Sequence, residues 1–508
     1  MCKILIQLEI IFKIGKAMDS KSENKILSKY NKLPKEARAS FWFLICMILQ
    51  KGISILTTPI FTRLLGPELY GEFGLFTSWE SIISVFVTLR LTAGVYTQGL
   101  VKFHDRRDEF SVSMQGLSSF IIFCFGIVYA IFSSFFNDLL GLNTYQMISM
   151  FIIMWTGEIF SFWLCEQRVD YKYRMLVIWS LLASLAKPIA GIFAVLNFDD
   201  KVTARIISMA IINLIFYLPF LLSKIKKHLP FYSKKFWKYA LIFNLPLVPH
   251  YLSQTVLSKA DVIMIQKMIG LDKAGIYNLS YQLSLILLIV NTALIQTMTP
   301  WMYRKMRDRK IIDIKGIAYI SLIGISLLNL LLMLFAPEIV KIFAPKEFFE
   351  AIWIIPPIAM SSVFIFSYDL FSSFEFYFEK TYFVMIASVI GALANIGLNY
   401  IFINIFGYMA AGYTTLICYM LYAFGHYLFM SKICKDNFED DEKPYNPITL
   451  LLIYLIFIAS GFIIMATYKY IFIRITIMAL SIILLIVFRK IILENINKVL
   501  KIKKENLN

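Results

Sequence analysis

Apolar runs of about 20 residues recur along this chain with only short polar breaks between them. A helix of about 20 residues crosses the roughly 30 Å of hydrocarbon in a bilayer, and lipid satisfies no backbone hydrogen bonds. The runs extend from Phe41 to Phe488 of the 508 residues. They predict an all-α, multi-pass membrane protein with almost no room for a soluble domain.

We predict fourteen spans, divided equally between the two halves of the chain. The first seven cover residues 41–65, 73–100, 113–136, 146–165, 175–196, 206–223 and 239–265. The other seven cover residues 274–303, 316–336, 350–374, 382–405, 408–430, 448–467 and 470–488. The predicted organisation is an N-terminal segment (1–40), an N-lobe of six spans (41–224), a basic linker (225–238), a C-lobe of six spans (239–431), a second linker (432–447), two further helices (448–488) and a tail (489–508).

The distribution of charge predicts the orientation of the spans. The formal charge is +17, but a protein that binds nucleic acid needs its basic residues on one folded surface, and here they lie in short loops. With the N-terminus placed inside, the loops and termini on that side contain 37 of the 50 Lys and Arg residues, as the positive-inside rule requires. We therefore expect both termini in the cytoplasm and no nucleic-acid partner.

The sequence offers no catalytic or metal-binding set. None of the six cysteines forms a CxxC pair, and four of them lie within apolar runs, so we expect neither metal nor disulfide. The four histidines are spread over two basic loops and two spans, which favours interface or core roles for His104, His228, His250 and His426. We expect a protein that is not an enzyme and needs no cofactor.

The N-terminal segment has the length of a signal peptide but not its pattern. Gln7 and Glu9 interrupt its apolar stretch, and no small-residue cleavage site follows. Met18 begins a polar segment that leads into the first span. Residues 1–17 are therefore expected to stay attached or, if translation starts at Met18, never to be made.

An eleven-residue pattern occurs twice, 204 residues apart. Residues 65–75 (LGPELYGEFGL) and 269–279 (IGLDKAGIYNL) share the order apolar, Gly, any, acid, any, any, Gly, any, aromatic, any, Leu. Each copy joins the first two spans of its half, so its glycines are expected to form a tight turn between helices. Six spans separate the copies, which predicts two six-helix lobes related by an axis normal to the bilayer. The simpler interpretation is that such a turn is a common connector.

Three segments resemble a known family of transporters. Residues 57–79 (TTPIFTRLLGPELYGEFGLFTSW) are similar to the first-loop signature of polysaccharide exporters of the Wzx type, in the multidrug/oligosaccharidyl-lipid/polysaccharide flippase superfamily. Residues 299–306 (TPWMYRKM) and 406–419 (FGYMAAGYTTLICY) resemble later segments of that family, in matching order. The resemblance covers most of the chain.

The resemblance implies two six-helix lobes with two extra C-terminal helices. It also implies that the protein flips an undecaprenyl-pyrophosphate-linked oligosaccharide, such as an O-antigen unit for lipopolysaccharide, between leaflets of a bacterial cytoplasmic (inner) membrane. The expected partners are that lipid-linked substrate, membrane lipid, and a glycan polymerase or glycosyltransferases. We expect the protein to be monomeric.

A flippase for a lipid pyrophosphate needs cations along the route of the anionic headgroup. A lone Lys or Arg at a helix centre costs about 2.5–3.5 kcal/mol on insertion scales, so it needs a partner or a wet cavity. Arg90 in the second span is the main candidate, because a guanidinium can bind pyrophosphate through two parallel hydrogen bonds. The alternative is an ion pair between Arg90 and either Glu80 or Glu158.

Two lysines are the next candidates for the substrate cavity. Lys51 lies near mid-depth in the first span and Lys259 in the outer part of the seventh, and the resemblance implies that these helices border a cleft between the lobes. Asp261 is predicted to serve an opposing cation or a coupling ion in the same cavity, because it and Lys259 point to different helix faces. Pairing of these charges across helices for stability alone is the alternative.

Other residues of the spans are predicted to shape the transport path. Arg63, near the outer interface, and Glu80 are predicted gate or loop residues, although snorkelling alone also explains Arg63. Lys187 precedes a proline, and we assign it to a helix kink and not to substrate binding. Pro246 and Pro249 are expected to bend the seventh span.

Two other functions compete with the flippase interpretation. A drug or cation antiporter of the same superfamily is expected to have twelve spans and an anionic cavity, whereas this sequence has two further spans and cationic candidates. A membrane-embedded polysaccharide polymerase or ligase usually has a large outer loop, and no predicted outer loop here exceeds about 15 residues. Both remain as alternatives.

Overall fold

The computed structural model describes residues 34–226, 228–438 and 444–487. Within these ranges the chain is helical, with short 3-10 turns and no strand. The helices are α1 (Lys35–Thr88), α2 (Val95–Lys102), α3 (Arg107–Ile131), α4 (Ser133–Leu140), α5 (Thr144–Val169), α6 (Tyr173–Asn197), α7 (Lys201–Ile225), α8 (Lys234–Asn244), α9 (Val248–Met268), α10 (Leu271–Ser284), α11 (Leu288–Arg307), α12 (Ile314–Leu334), α13 (Ala336–Phe343), α14 (Ile355–Tyr377), α15 (Thr381–Phe406), α16 (Ala410–Asn437), α17 (Pro447–Ala466) and α18 (Ile471–Val487). Most of the predicted N-terminal segment, part of the second linker and the whole tail lie outside the described residues.

Eleven helical segments of the described chain are long and apolar enough to cross a bilayer. One of them, Arg38–Thr88, contains the first predicted span and the first part of the second. The seventh predicted span is not among the eleven: it is divided between α8 and α9, and α9 carries Lys259, Asp261 and Lys267. The last predicted span is a shorter apolar helix. The chain is an all-α, multi-pass membrane protein, as predicted.

The two copies of the repeat pack against each other. A Cβ added at Gly71 would lie 1.9 Å from the carbonyl oxygen of Leu271, and one added at Gly275 would lie 2.0 Å from that of Pro67. The 204-residue offset relates residues 67 and 71 to residues 271 and 275, so each contact is the counterpart of the other. A pseudo-two-fold axis therefore passes between α1 and α10. We call this end of the bundle, which carries residues 66–72 and 270–275, the motif end, and the opposite end the basic-loop end.

Each copy also contains a turn that only glycine adopts easily. Gly66 (φ 67°) bends α1 between its first and second spans, and Gly270 (φ 150°) separates α9 from α10. Positive φ values of this kind strain residues that carry a Cβ. The predicted tight turns are therefore present in both copies.

The second and seventh spans are both broken near the basic-loop end, and the two breaks are bonded to each other. The second span is interrupted between α1 and α2, where Leu89 and Arg90 adopt left-handed backbone (φ 48° and 49°). The seventh span bends through a 3-10 turn that contains Pro246, as predicted. The Asn244 side chain donates from Nδ2 to the Leu89 carbonyl oxygen (2.6 Å).

Because of its bend, the seventh span connects the two lobes. Phe236 and Ala240 of α8 are fully buried in a cluster with N-lobe residues of α2 and α3. Helix α9 packs against α15 of the C-lobe on one side and against α1 of the N-lobe on the other. The predicted lobe boundary at residue 239 therefore falls within a helix that belongs by its packing to the N-lobe.

Candidate functional site

The lobes are joined at the motif end by apolar and polar contacts. Tyr70 packs edge-on against Phe348, with ring centroids 5.8 Å apart, and donates from its hydroxyl to Gln282 Oε1 (3.3 Å). Thr62 Oγ1 donates to the Phe343 carbonyl oxygen (2.6 Å). Together with the reciprocal glycine contacts, these interactions close the space between the lobes at this end.

Arg63 also crosses between the lobes at the motif end. Its two terminal nitrogens donate to the carbonyl oxygens of Pro59 and Ile342, each at 2.8 Å. The side chain is exposed and lines an open cavity of about 610 Å³ together with Lys341 and Lys346. Arg63 thus joins α1 to α13 through helix carbonyl oxygens, and its role as a gate or loop residue stays a prediction.

Arg90 lies at the break of the second span and not inside a continuous helix. The sequence placed it within residues 73–100, but the helix ends at Thr88, and the Leu89 carbonyl oxygen accepts a hydrogen bond from Asn244 of another span. Arg90 is partly buried, with the Glu158 carboxylate and the phenol of Tyr251 in electrostatic range. Glu158 belongs to the N-lobe and Tyr251 to the C-lobe, so Arg90 faces the junction between the lobes.

Lys51, Glu80 and Lys259 form a second group of charges between the lobes. Lys259 of α9 has Glu80 and Lys51, both on α1, as its charged neighbours. Lys51 is exposed, whereas Glu80 and Lys259 are partly buried. Among the described residues no carboxylate lies within 4 Å of Lys51, Arg90 or Lys259. Arg90 and Lys259 thus have Glu158 and Glu80 as acidic neighbours without forming ion pairs.

Asp261 does not line the space between the lobes. It is 1% exposed and lies inside the C-lobe, where Asn399 Nδ2 (2.6 Å), Thr415 Oγ1 (2.7 Å) and the Tyr277 hydroxyl donate to its carboxylate. Three neutral donors from three helices therefore enclose it. Its predicted place in the same cavity as Lys259 is incorrect, because the two side chains leave α9 on opposite faces, one toward the N-lobe and one into the C-lobe.

The C-lobe also buries a histidine and a carboxylate. His426 and Glu375 are both fully buried, with Nδ1 and Oε1 2.7 Å apart. His250 contacts Ser388 (3.1 Å), which in turn contacts the Tyr422 hydroxyl (2.6 Å). These two histidines thus occupy the core and interface positions predicted for them.

The N-lobe has a partly open cationic cavity that the sequence did not predict. The cavity has a volume of about 240 Å³ and is lined by residues of α1, α6 and α7 that include Lys187 and Arg205. The sequence placed Arg205 in an outer loop, because the predicted sixth span began at residue 206. Asp200 Oδ1 accepts a hydrogen bond from the Thr203 backbone (3.0 Å), and this capping pattern starts the helix at residue 201. Asp199 and Asp200 directly precede Lys201, and acids are typical at the start of a helix. They could have indicated that the sixth span begins at residue 201 and includes Arg205.

The chain matches a family model described as "Polysaccharide biosynthesis protein" over residues 37–306. This match covers more than half of the chain, from the start of α1 to the end of α11. No curated protein matches the chain significantly.

Several solved structures share the fold. "Lipid II flippase MurJ, inward closed conformation" matches with a TM-score of 0.60 and 15% identity, over 85% of this chain and 99% of that one. An inward-facing MATE multidrug resistance transporter of the MOP superfamily matches with a TM-score of 0.59 and 15% identity, over 76% and 96%. The Vibrio cholerae MATE transporter VcmN in its bent form matches with a TM-score of 0.53 and 13% identity, over 81% and 99%. At these identities the likeness is one of fold.

Proposed function

Because this chain belongs to the polysaccharide biosynthesis protein family, we propose that it is a flippase that moves an undecaprenyl-pyrophosphate-linked oligosaccharide across the bacterial cytoplasmic membrane. The pyrophosphate and sugar pass between the lobes, and the polyprenyl chain stays in lipid. An O-antigen unit for lipopolysaccharide is the kind of cargo that fits this proposal.

The observation that carries the proposal is the set of cations between the lobes. Arg90 of the N-lobe has Glu158 as its acidic neighbour, and Lys259 of the C-lobe has Glu80 as its acidic neighbour and Lys51 as a second cation nearby. None of these three cations is ion-paired within the described chain. The excess of positive charge favours an anionic headgroup. A guanidinium without a tight partner retains its parallel donors for phosphate oxygens.

The mode of transport that fits this arrangement is alternating access. The motif end is closed by the Gly71 and Gly275 contacts, and rocking of the lobes about the pseudo-two-fold axis would open it. The bent seventh span, whose α8 packs in the N-lobe and α9 in the C-lobe, is suited to act as the hinge. We place the motif end outside and both termini in the cytoplasm, in agreement with the distribution of basic loops.

The proposal is tested by following a fluorescent polyprenyl-pyrophosphate oligosaccharide in proteoliposomes, with a membrane-impermeant quencher to report which leaflet holds it. Arg90→Ala is expected to slow translocation at least tenfold, because a hydrogen bond to a charged group contributes about 1.5–3 kcal/mol. Arg106→Ala is the matched control, since this arginine is exposed at the basic-loop end and bonded to Glu109 (2.5 Å). Equal rates for Arg90→Ala and the control would remove Arg90 from the transport path.

A double variant separates substrate binding from simple charge neutralisation. If Arg90 serves only to balance Glu158, the Arg90→Ala, Glu158→Gln protein should recover transport, because neither charge is then left alone. If Arg90 binds the headgroup, the double variant stays as slow as Arg90→Ala. Recovery in the double variant would contradict the role that we assign to Arg90.

The alternative function is export of organic cations, as in the antiporter branch of the superfamily. The MATE structures share the fold but not the sequence at a level that identifies a substrate. Asp261, the acid that such a transporter would need in its cavity, is enclosed by hydrogen-bond donors inside the C-lobe. Transport of a cationic dye at a rate unaffected by Arg90→Ala would favour the antiporter.

A further inference from the structure

The N-lobe cavity contains a partly buried arginine, Arg205, for which the described residues supply no counter-ion. The guanidinium carbon of Arg205 lies 3.5 Å from the ring centroid of Phe61 and 3.6 Å from that of Phe73, so the group is held between two aromatic faces. Its Nη1 is buried and has no hydrogen-bond partner. The titratable neighbour of Arg205 is the phenol of Tyr70, and among the described residues no carboxylate lies within 4 Å of it.

A second cation lines the same cavity. Lys187 is partly buried, lies 5.1 Å above the ring of Tyr217, and has Glu80 as its acidic neighbour. Glu80 is also the acidic neighbour of Lys259, so its one charge is shared. The cavity therefore has two positive groups against at most one negative group.

The remaining lining is suited to a small hydrophilic ligand. Gln50, Ser54, Thr57 and Ser184 bring amide and hydroxyl groups to the cavity wall. The hydroxyl of Thr57 donates to carbonyl oxygens of its own helix (3.0 Å), and a hydroxyl of this kind can rotate toward a stronger acceptor. A volume of about 240 Å³ admits a hydrated small ion and excludes an oligosaccharide.

We propose that this cavity is a binding site for a small monovalent inorganic anion of chloride size, held by Arg205 and Lys187. Aromatic faces attract a cation less strongly than water does, so the two rings alone do not offset the burial of the guanidinium. An anion at Nη1 supplies the missing charge and the missing acceptor together. The surplus of one positive charge favours a monovalent anion over phosphate.

The site is distinct from the proposed route of the substrate. It lies within the N-lobe, between α1, α6 and α7, whereas the transport path runs between the lobes. Phe61 and Phe73 flank the bend of α1 at Gly66, so an anion that fixes Arg205 also fixes the two halves of this helix relative to each other. The proposal does not depend on the identity of the transported lipid.

The test measures chloride binding directly, by the line width of the ³⁵Cl NMR signal in the presence of the purified, detergent-solubilised protein. The wild-type protein is expected to broaden the signal, and Arg205→Met and Lys187→Met are expected to lose most of that excess width. Lys267→Met is the control: this lysine also lies at the motif end, but its Nζ donates to the Leu139 carbonyl oxygen (3.1 Å) outside the cavity. Equal broadening by wild type and Arg205→Met would overturn the proposal.

Thermal unfolding in sodium chloride and in sodium gluconate at equal ionic strength gives a second readout. The wild-type midpoint should be higher in chloride, because a ligand that binds only the folded state stabilises it. Arg205→Met should show no such difference and should be at least as stable as wild type in gluconate, since it removes an uncompensated buried charge. A loss of stability of the same size in both salts would mean that Arg205 has a packing role only.

Competition identifies the anion. Phosphate added at constant chloride should displace chloride weakly or not at all, because of its second charge and larger size. Displacement by phosphate at a lower concentration than that of chloride would overturn the assignment to a monovalent anion.

Discussion

The two lobes carry the same repeat and bury opposite charges beside it. At the aromatic position of the repeat, the N-lobe has Phe73, whose face lies against the Arg205 guanidinium, and the C-lobe has Tyr277, whose hydroxyl donates to Asp261. The 204-residue offset also relates Asp261 to Thr57, which lines the N-lobe cavity. The repeat-related aromatic residues thus lie beside a cation in one lobe and beside a carboxylate in the other.

This difference extends to how the buried charges are satisfied. Asp261 receives three hydrogen bonds, and Glu375 has His426 as its partner. The Arg205 guanidinium instead lies against aromatic rings, and its buried Nη1 has no hydrogen-bond partner. A charge that is fully bonded within one lobe contributes to the packing of that lobe, whereas a charge with free donors is available to a ligand. By this criterion Asp261 belongs to the packing of the C-lobe, whereas Arg205 in the N-lobe is available to a ligand.

The largest effect is expected from Asp261→Ala, which removes the acceptor of the C-lobe network. The three donors from Tyr277, Asn399 and Thr415 would be left buried and unpaired, and each such group costs about 1–3 kcal/mol. We expect a loss of at least about 3 kcal/mol in the free energy of unfolding, measured by chemical denaturation in detergent micelles.

Tyr277→Phe provides the graded comparison, because it gives the C-lobe the aromatic residue that the N-lobe has. One donor is lost while two remain, so a smaller loss of about 1.5 kcal/mol is expected. Stability unchanged by both substitutions would remove the distinction that we draw between the lobes.

A smaller effect is expected where the lobes are alike, at the reciprocal glycines. Alanine at Gly71 or at Gly275 places a Cβ about 2 Å from a carbonyl oxygen of the other copy, and overpacking of this kind costs about 1–3 kcal/mol. Both substitutions should open the motif end equally, because the repeat axis exchanges the two contacts. Spin labels on the exposed, repeat-related residues Glu68 and Asp272 would report the separation of the lobes.

Gly316→Ala is the control for these variants, since nothing lies within 4 Å of the added Cβ in α12. Its label distances should equal those of the parent protein. A shift for one repeat glycine and not for the other would mean that the pseudo-two-fold relation does not hold at this contact.

The outline of this fold could be predicted from the sequence because membrane helices are encoded locally. Each span carries its own apolar length, and Pro246 marks the bend of the seventh span within the span itself. The break at Arg90 was not predicted, because it depends on Asn244, which is 155 residues from Leu89 in the sequence. The surroundings of Arg205 were missed for the same reason, as Phe61 and Phe73 reach it from another helix. The two-residue spacing of Lys259 and Asp261 showed that their side chains leave the helix on different faces. It did not show which lobe each side chain faces.

The smallest effect is expected at the surface, where both lobes pair their charges in the ordinary way. In the N-lobe Arg107 bonds to Asp170 (2.5 Å), and in the C-lobe Lys273 bonds to Glu350 (2.7 Å). The Lys273 ammonium, with the Tyr408 hydroxyl, lowers the pKa of Glu350 below its ordinary value. Because the side chains of Lys273 and Glu350 are 29% and 48% exposed, this pair is expected to contribute no more than about 1 kcal/mol.

The pH dependence of this contribution has a definite sign. A carboxyl whose pKa is lower in the folded than in the unfolded state stabilises the fold above its unfolded pKa, and the stabilisation disappears as the pH falls through the folded value. Glu350→Gln should therefore be less stable than wild type at pH 7, and the difference should shrink as the pH falls below about 4.3, the ordinary pKa of a glutamate. Glu347→Gln, at an exposed acid in the same 3-10 segment, should match wild type at both pH values. A difference for Glu350→Gln that persists at low pH would mean that its bond to Tyr408, and not its charge, is what stabilises this corner of the C-lobe.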